Sequence, residues 1–323
     1  MPELTALQTV PGQGSLATLS QQAREFAASA KADNTLRAYQ ADWKDFREWC
    51  ETHHLAPLPA APETVALYLT GRAAKLKAST LARRLTTINR AHQAAGLPSP
   101  ATMQNAIVSE VWKGIKRRKG TSQQGKKPFL TSDLRRVIAE LPPDLQGLRD
   151  RALLLVGFAG GFRRSELAAL RVEDLETTPD GLIVRLGKSK TDQEGQGRKV
   201  ALPFGSDPQT CPVRTLDAWR DQGGITAGPV FRAIGRGGAV GGRALHADSV
   251  GYLVKRAAAR AGLESAEYAG HSLRAGLATQ AATNGASESA IMKQTGHRSL
   301  ATVRRYIREG SLFRDNAAAK LGL

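Results

Sequence analysis

Four short segments in the second half of the chain concentrate side chains able to act on an anionic group. Gly161-Phe-Arg-Arg-Ser-Glu-Leu167 sets Arg163 and Glu166 three residues apart, just after a glycine pair that interrupts a helical pattern. Gly187-Lys-Ser-Lys-Thr-Asp192 puts Lys190 in a turn leaving a strand. Gly270-His-Ser-Leu-Arg-Ala-Gly276 places His271 and Arg274 on one helical face. His297, in Gly296-His-Arg-Ser, precedes Tyr306 by nine residues. Arginine supplies paired donors that stay charged at any working pH, histidine titrates near neutrality, and tyrosine carries an ionisable phenol oxygen. Taken singly, each segment has a plain structural explanation. An Arg–Glu pair at this spacing is usually a surface ion pair worth a few tenths of a kcal/mol. An isolated histidine usually serves as a structural hydrogen-bonding group, and a tyrosine at a helix end usually packs.

Taken in chain order, Arg163, Lys190, His271-x-x-Arg274, His297 and Tyr306 resemble the tyrosine site-specific recombinases, the phage integrase family. That family's pattern runs Arg, Lys, His-x-x-Arg, His or Trp, then Tyr, and its acidic residue three after the first Arg is present as Glu166. The resemblance covers about residues 20–320, with no departure from the catalytic pattern. It implies attack of a phenol oxygen on a DNA phosphodiester, giving a 3′-phosphotyrosine and a free 5′-hydroxyl without ATP, metal or other cofactor. By the same resemblance Tyr306 is the nucleophile, and Arg163 and Arg274 bind the nonbridging oxygens. Lys190 protonates the leaving oxygen, His271 takes or relays the tyrosine proton, His297 bonds a nonbridging oxygen, and Glu166 orients a neighbour. The implied partners are double-stranded DNA with inverted-repeat sites and three further copies of the chain. Four protomers would join on two sites and exchange strands through a Holliday junction, with a monomer or weak dimer in the free state and an accessory protein as a candidate further partner. A type IB topoisomerase and a non-catalytic DNA-binding protein are the alternatives.

Of the five tyrosines, Tyr39 and Tyr68 fall at core spacing in the N-terminal half, and Tyr252 lies within an amphipathic helix. Tyr268 adjoins His271 but lacks a histidine at the upstream distance, which leaves Tyr306. The six histidines include one close pair, His53-His54, and no cluster with metal-ligand spacing, so no metal site is expected. Gly235 to Gly242 is followed by no Lys-Ser/Thr, which argues against a nucleotide-binding loop, and reads as a flexible connection.

The elements that must carry these residues are mostly helical. Residues 1–16 read as a flexible arm and 17–118 as a helical domain, which the family resemblance makes a SAM-like core-binding domain. Asn34, Ser79 and Thr131-Ser132-Asp133 are candidate helix caps. Residues 119–129 read as a basic linker, and 130–323 as a mostly helical catalytic domain with a small antiparallel sheet. Strands are expected at Leu182–Leu186 and Lys199–Leu202, with a further short one at Pro229–Ala233. Helices are expected near 247–261, 271–284, 287–295 and 299–308, and an amphipathic helix over 311–321 that the family resemblance docks into a neighbouring protomer.

The balance of 46 Lys and Arg against 29 Asp and Glu gives a formal charge of +17. Between residues 72 and 127 stand 13 bases and one acid, Glu110. A solvated surface normally mixes both signs, so this stretch points to a polyanion, with affinity from counterion release. Two cysteines, Cys50 and Cys211, exclude a disulfide framework and suit a reducing cytoplasm. The opening residues lack a signal-peptide pattern, and no apolar run is long enough for a bilayer. By position in the family, Lys77, Ser79, Arg83 and Arg84 are candidates for the major groove. Lys116, Arg117, Arg118, Lys119, Lys126 and Lys127 would follow phosphates, and Asp248 is a candidate base reader or helix cap.

Overall fold

A computed structural model describes residues 18–22, 33–120, 125–187, 197–310 and 321. The expected arm, Lys190 and all but the last residue of the segment 311–321 lie outside the described residues. The chain divides into two compact units, residues 1–124 and 125–323.

In the first unit the apolar spacing decides the packing. Helices α1 (Asp33–Thr52), α2 (Pro62–Ala73), α3 (Ala78–Ala94) and α4 (Ala106–Lys119) each bury one stripe. Phe46 and Cys50 face Val65, Tyr68 and Leu69, then Leu81, Leu85 and Ile88, then Val108, Trp112 and Ile115. Apart from the adjacent Tyr68 and Leu69, each of these sits three or four residues from the next on its helix, so one face turns inward. Burying each large apolar side chain stabilises the fold by roughly 1.5–3 kcal/mol.

The second unit is built around α6 (Leu145–Ala159), preceded by α5 (Thr131–Ala139) and followed by the short α7 (Arg164–Ala169). Ala152 to Gly157 are all buried, which explains the absence of a polar face on that stretch. Strands β1 (Leu175–Thr178), β2 (Gly181–Leu186) and β3 (Arg198–Pro203) form an antiparallel meander. Leu182, Val184 and Leu186 pack inward beside Val200 and Leu202, as period-two alternation requires. After α8 (Pro212–Gln222), β4 (Arg232–Ile234) and β5 (Val240–Ala244) pair as a hairpin. Helices α9 (Ala247–Arg260), α10 (His271–Thr283), α11 (Glu288–Thr295) and α12 (Leu300–Gly310) complete the unit.

The helical frame and small antiparallel sheet agree with the sequence pattern, but several details differ. Strand β1 was not foreseen, because Leu-Glu-Thr-Thr lacks alternation; its pairing with β2, Leu175 opposite Val184, holds it. The glycine-rich stretch 235–242 is an ordered turn entering β5, with Gly238 at φ +81° supplying the reversal. Asn34 and Ser79 lie inside the first turns of α1 and α3, so neither is a cap. Leu130 stands at the boundary of α5 without a side-chain cap bond. Asp248 also lies inside a first turn; His246 caps α9, its Nδ1 accepting from the Asp248 amide at 3.2 Å. A capping residue acts only where the backbone is still extended, and these helices begin one or two residues earlier. Asn105, Asp144 and Ser287 do cap, each accepting from the amide three residues on.

Phe129, in the stretch read as linker, is fully buried, and its amide donates to the Ser272 carbonyl at 3.0 Å. A Cβ on Gly276 would lie 1.9 Å from the Phe129 carbonyl oxygen, so only glycine admits this strand of backbone against α10. On the far side of α10, Ala275, Ala278 and Ala282 pack with Ile291 of α11 and with Val303 and Tyr306 of α12. Those small residues let α12 lie close enough to deliver its tyrosine.

Candidate active site

Tyr306 is 4% exposed, and its hydroxyl lies 2.6 Å from Nε2 of His271 at the start of α10. One turn along α10, Arg274 is 1% exposed. Its Nη1 donates to the Gly161 carbonyl at 2.6 Å and to the Thr295 carbonyl. Its Nη2 is buried and has no hydrogen-bond partner among the described residues. A buried guanidinium with a spare donor is costly, and an anionic oxygen would satisfy it. Burial and the nearby Arg163 lower the Arg274 pKa to about 10, which leaves it charged at neutral pH.

Arg163 arrives from the break between α6 and α7. Gly161, at φ +56°, turns the chain there, and α7 starts at Arg164 with Arg163 as its boundary residue. Glu166 closes this end: its Oε2 accepts from the Arg163 amide at 2.9 Å and its Oε1 from Arg163 Nη1 at 2.5 Å. Glu166 Oε2 also accepts from Arg198 Nη2 at 3.1 Å. Burial opposes the charge on Glu166, but these hydrogen bonds and both guanidiniums hold its pKa below the usual carboxylate value.

Gly296, in the left-handed region at φ +67°, ends α11 and swings His297 back toward the site. The rings of His297 and Tyr306 lie 5.9 Å apart, and those of His271 and Tyr306 6.2 Å apart. Burial, then Arg274, Arg163, His271 and Arg198, push the His297 pKa down to about 3. His271 stands at the mouth of the site, yet shielding of its ring and the charges of Arg274, Arg305 and Arg163 lower its pKa as well. Both imidazoles are therefore neutral near pH 7, inside a cluster of cations.

The structure thus brings Arg163, Glu166, His271, Arg274, His297 and Tyr306 together. Tyr268 is set apart: it is buried, stacks on Phe129 at 4.4 Å and points its hydroxyl at Asp133. Tyr252 is 73% exposed on α9, the amphipathic helix expected there. Three neighbours escaped the sequence reading. Arg198 opens β3 opposite Leu186, where the hairpin register carries it to Glu166 and to the Gln294 carbonyl. Arg305 directs Nη2 to the Tyr306 hydroxyl at 3.5 Å. Thr295 lies one turn beyond Ile291 at the end of α11. Adjacency to Tyr306 and proximity to His297 were the available signals for the last two.

The basic residues of the first unit divide into two kinds. Arg84 is 12% exposed and donates to Asp45 and, at 2.7 Å, to the Tyr68 hydroxyl, so it belongs to the packing of α1, α2 and α3. These contacts leave little of its guanidinium open to a base edge. Arg83 grips the buried Asp42 at 2.7 and 3.0 Å but is 47% exposed. Lys77, Ser79, Arg117, Arg118 and Lys119 are exposed, and Lys116 lies over the Trp112 ring at 5.7 Å. In the second unit Lys126 donates to the Ala266 carbonyl at 2.5 Å and Lys127 faces Glu267 at 3.5 Å. Asp248 pairs with Arg164 at 2.8 Å. Among the described residues no helix is long and apolar enough to cross a membrane, and no three His, Cys, Asp or Glu side chains could together hold a metal ion.

The chain is similar to known proteins along most of its length. Residues 128–311 match the phage integrase family, and residues 26–96 its N-terminal SAM-like domain. An integrase/recombinase xerD homolog of Selenomonas ruminantium is 43% identical over 308 residues, covering 94% of this chain and 89% of the relative. The recombinase cre of Escherichia phage P1 is 26% identical over 301 residues, covering 86% and 85% respectively. In fold, an integrase of the transposon Tn1549, solved in complex with transposon right-end DNA, aligns with a TM-score of 0.63 at 14% identity over 93% of this chain and 96% of that one. Since the family match spans more than half of the residues, and a relative this similar runs almost end to end, the chain belongs to the phage integrase family of tyrosine recombinases.

Proposed function

We propose that the protein is a site-specific DNA recombinase that cuts and rejoins strands through a 3′-phosphotyrosine. The observation that carries this reading is the 2.6 Å contact between the Tyr306 hydroxyl and His271 Nε2, beside a buried arginine with an unpartnered donor. Tyr306 passes its proton to neutral His271, and its oxygen attacks the phosphorus. The bond from phosphorus to the 5′ oxygen breaks, and Lys190 protonates that leaving oxygen. Arg274 and Arg163 neutralise the nonbridging oxygens, on which negative charge grows in the transition state. His297 meets one of the same oxygens, and Glu166 fixes Arg163. Ester energy is kept in the phosphotyrosine, so the reverse attack by a 5′-hydroxyl reseals DNA without ATP or a metal.

The wider reading follows the family: four copies on two inverted-repeat sites, strand exchange through a Holliday junction, and action in the cytoplasm. The exposed bases Lys77, Arg83, Arg117, Arg118 and Lys119 favour a long DNA contact. Ser79, exposed beside Lys77, and Lys116 belong to the same proposed contact, whereas Lys126, Lys127 and Asp248 would have to exchange protein partners for DNA. Loss of synapsis with retained DNA binding after deletion beyond Ser311 would support docking of the C-terminal segment on a neighbour.

The test starts with selection of bound duplexes from a randomised DNA pool. A nicked version of the selected site should trap a protein–DNA adduct that survives denaturant and is absent from Tyr306→Phe. Binding without any adduct would leave a non-catalytic DNA-binding protein. Relaxation of supercoiled plasmids lacking the site would favour a topoisomerase.

A further inference from the structure

Thr295 is fully buried at the end of α11 and touches the site twice. Its carbonyl accepts from Arg274 Nη1, and its hydroxyl oxygen lies 2.6 Å from the Ile291 carbonyl and 2.7 Å from His297 Nδ1. These contacts assign the hydrogens. A carbonyl can only accept, so the single hydroxyl proton of Thr295 goes to Ile291. The hydroxyl oxygen is then left as an acceptor, and His297 Nδ1 must carry the hydrogen between them. In the neutral ring Nε2 therefore bears the lone pair.

We infer that Thr295 is a positioning residue: its hydroxyl holds His297 as the Nδ1–H tautomer with Nε2 kept for the substrate, while its carbonyl anchors Arg274. The inference rests on the reading of the site as a phosphate-binding one, and it deepens it. A lone pair cannot bond a negatively charged oxygen, so His297 meets the phosphate as an imidazolium, with a second proton taken from solvent at Nε2. The groups acting on this ring are Arg274, Arg163, His271 and Arg198, so the neutral form prevails until an anion offsets their charge. Without the Thr295 hydroxyl, the ring gains freedom to rotate and to place its hydrogen on either nitrogen. Arg274 keeps its backbone anchor in either case, which separates the effect on His297 from a general collapse of the site.

The experiment uses the full chain and two variants, Thr295→Val, which keeps the shape and removes the hydroxyl, and Thr295→Ser, which keeps the hydroxyl. Nitrogen-15 NMR of histidine-labelled, DNA-free protein should show His297 protonated at Nδ1 in wild type and Thr295→Ser, and shifted toward Nε2–H in Thr295→Val. Adduct formation on the trapping substrate should fall up to about tenfold in Thr295→Val, the upper end of what one hydrogen bond contributes net, with DNA affinity unchanged and Thr295→Ser close to wild type. An Nε2–H signal for wild-type His297, or full cleavage by a folded Thr295→Val, would overturn the inference. Failure of wild type to form any adduct would count against the recombinase reading instead, and the NMR result on DNA-free protein would still decide the tautomer.

Discussion

Replacing Glu166 with glutamine keeps the size and shape of the side chain and removes its charge. In the structure one carboxylate accepts from three donors: Arg163 Nη1 at 2.5 Å, the Arg163 amide at 2.9 Å and Arg198 Nη2 at 3.1 Å. A glutamine amide offers one oxygen, so at least one of these donors would face an N–H instead. Breaking a fully enclosed ion pair costs roughly 3–5 kcal/mol. Here the two arginine side chains are 18% and 19% exposed, so water recovers part of the loss. A cost of about 2 kcal/mol follows, and for a unit of this size a Tm lower by roughly 4–8 °C at pH 7. The pH dependence has a definite sign. Glu166 is held below its usual pKa, so its contribution is complete above the unfolded-state value of about 4.3 and disappears as pH falls through the folded value. Thermal melts followed by circular dichroism at pH 7, 5, 4 and 3 should show an equal gap between wild type and Glu166→Gln at pH 7 and 5, and a narrowing gap only below the unfolded value of about 4.3. Equal Tm values at pH 7, or a gap that stays constant down to acid pH, would refute the argument.

Further outcomes follow from the same geometry. Because His271 must be neutral to accept a proton and its pKa is lowered, cleavage at subsaturating DNA should decline only as pH drops below the ordinary histidine value of about 6.5; a decline already complete at that pH would contradict it. Gly276→Ala drives a methyl group into the Phe129 carbonyl at 1.9 Å and should destabilise the second unit by more than about 2 kcal/mol, read by chemical denaturation. Arg84→Ala leaves Asp45 and Tyr68 short of a partner and should lower thermal stability, whereas Arg117→Ala, on an exposed position, should alter salt-dependent DNA binding and leave the melt unchanged.

The candidate site was legible because the chemistry proposed for it leaves few substitutes: two arginines, two histidines and a tyrosine in fixed order stand out as a pattern even when each alone is ordinary. The helices were legible because stripes such as Leu81, Leu85 and Ile88 repeat with the helical period. What sequence could not supply was the third dimension of charge. Nothing local in the Arg83-Arg84 pair distinguishes a half-exposed arginine from one enclosed by Asp45 and Tyr68, which come from other helices. Arg198 was missed for the same reason, since its approach to Glu166 depends on the register of β3 against β2. Helix caps failed where packing fixed the helix start before the capping residue was reached, as at Ser79.

Identification of the amino acid bonded to DNA bears most directly on the whole account. After trapping on a nicked site, nuclease and protease digestion followed by mass spectrometry should recover a nucleotide joined through its 3′ phosphate to the phenol of Tyr306. Recovery of the adduct on Tyr268 or another side chain would contradict the account, as would attachment through a 5′ phosphate.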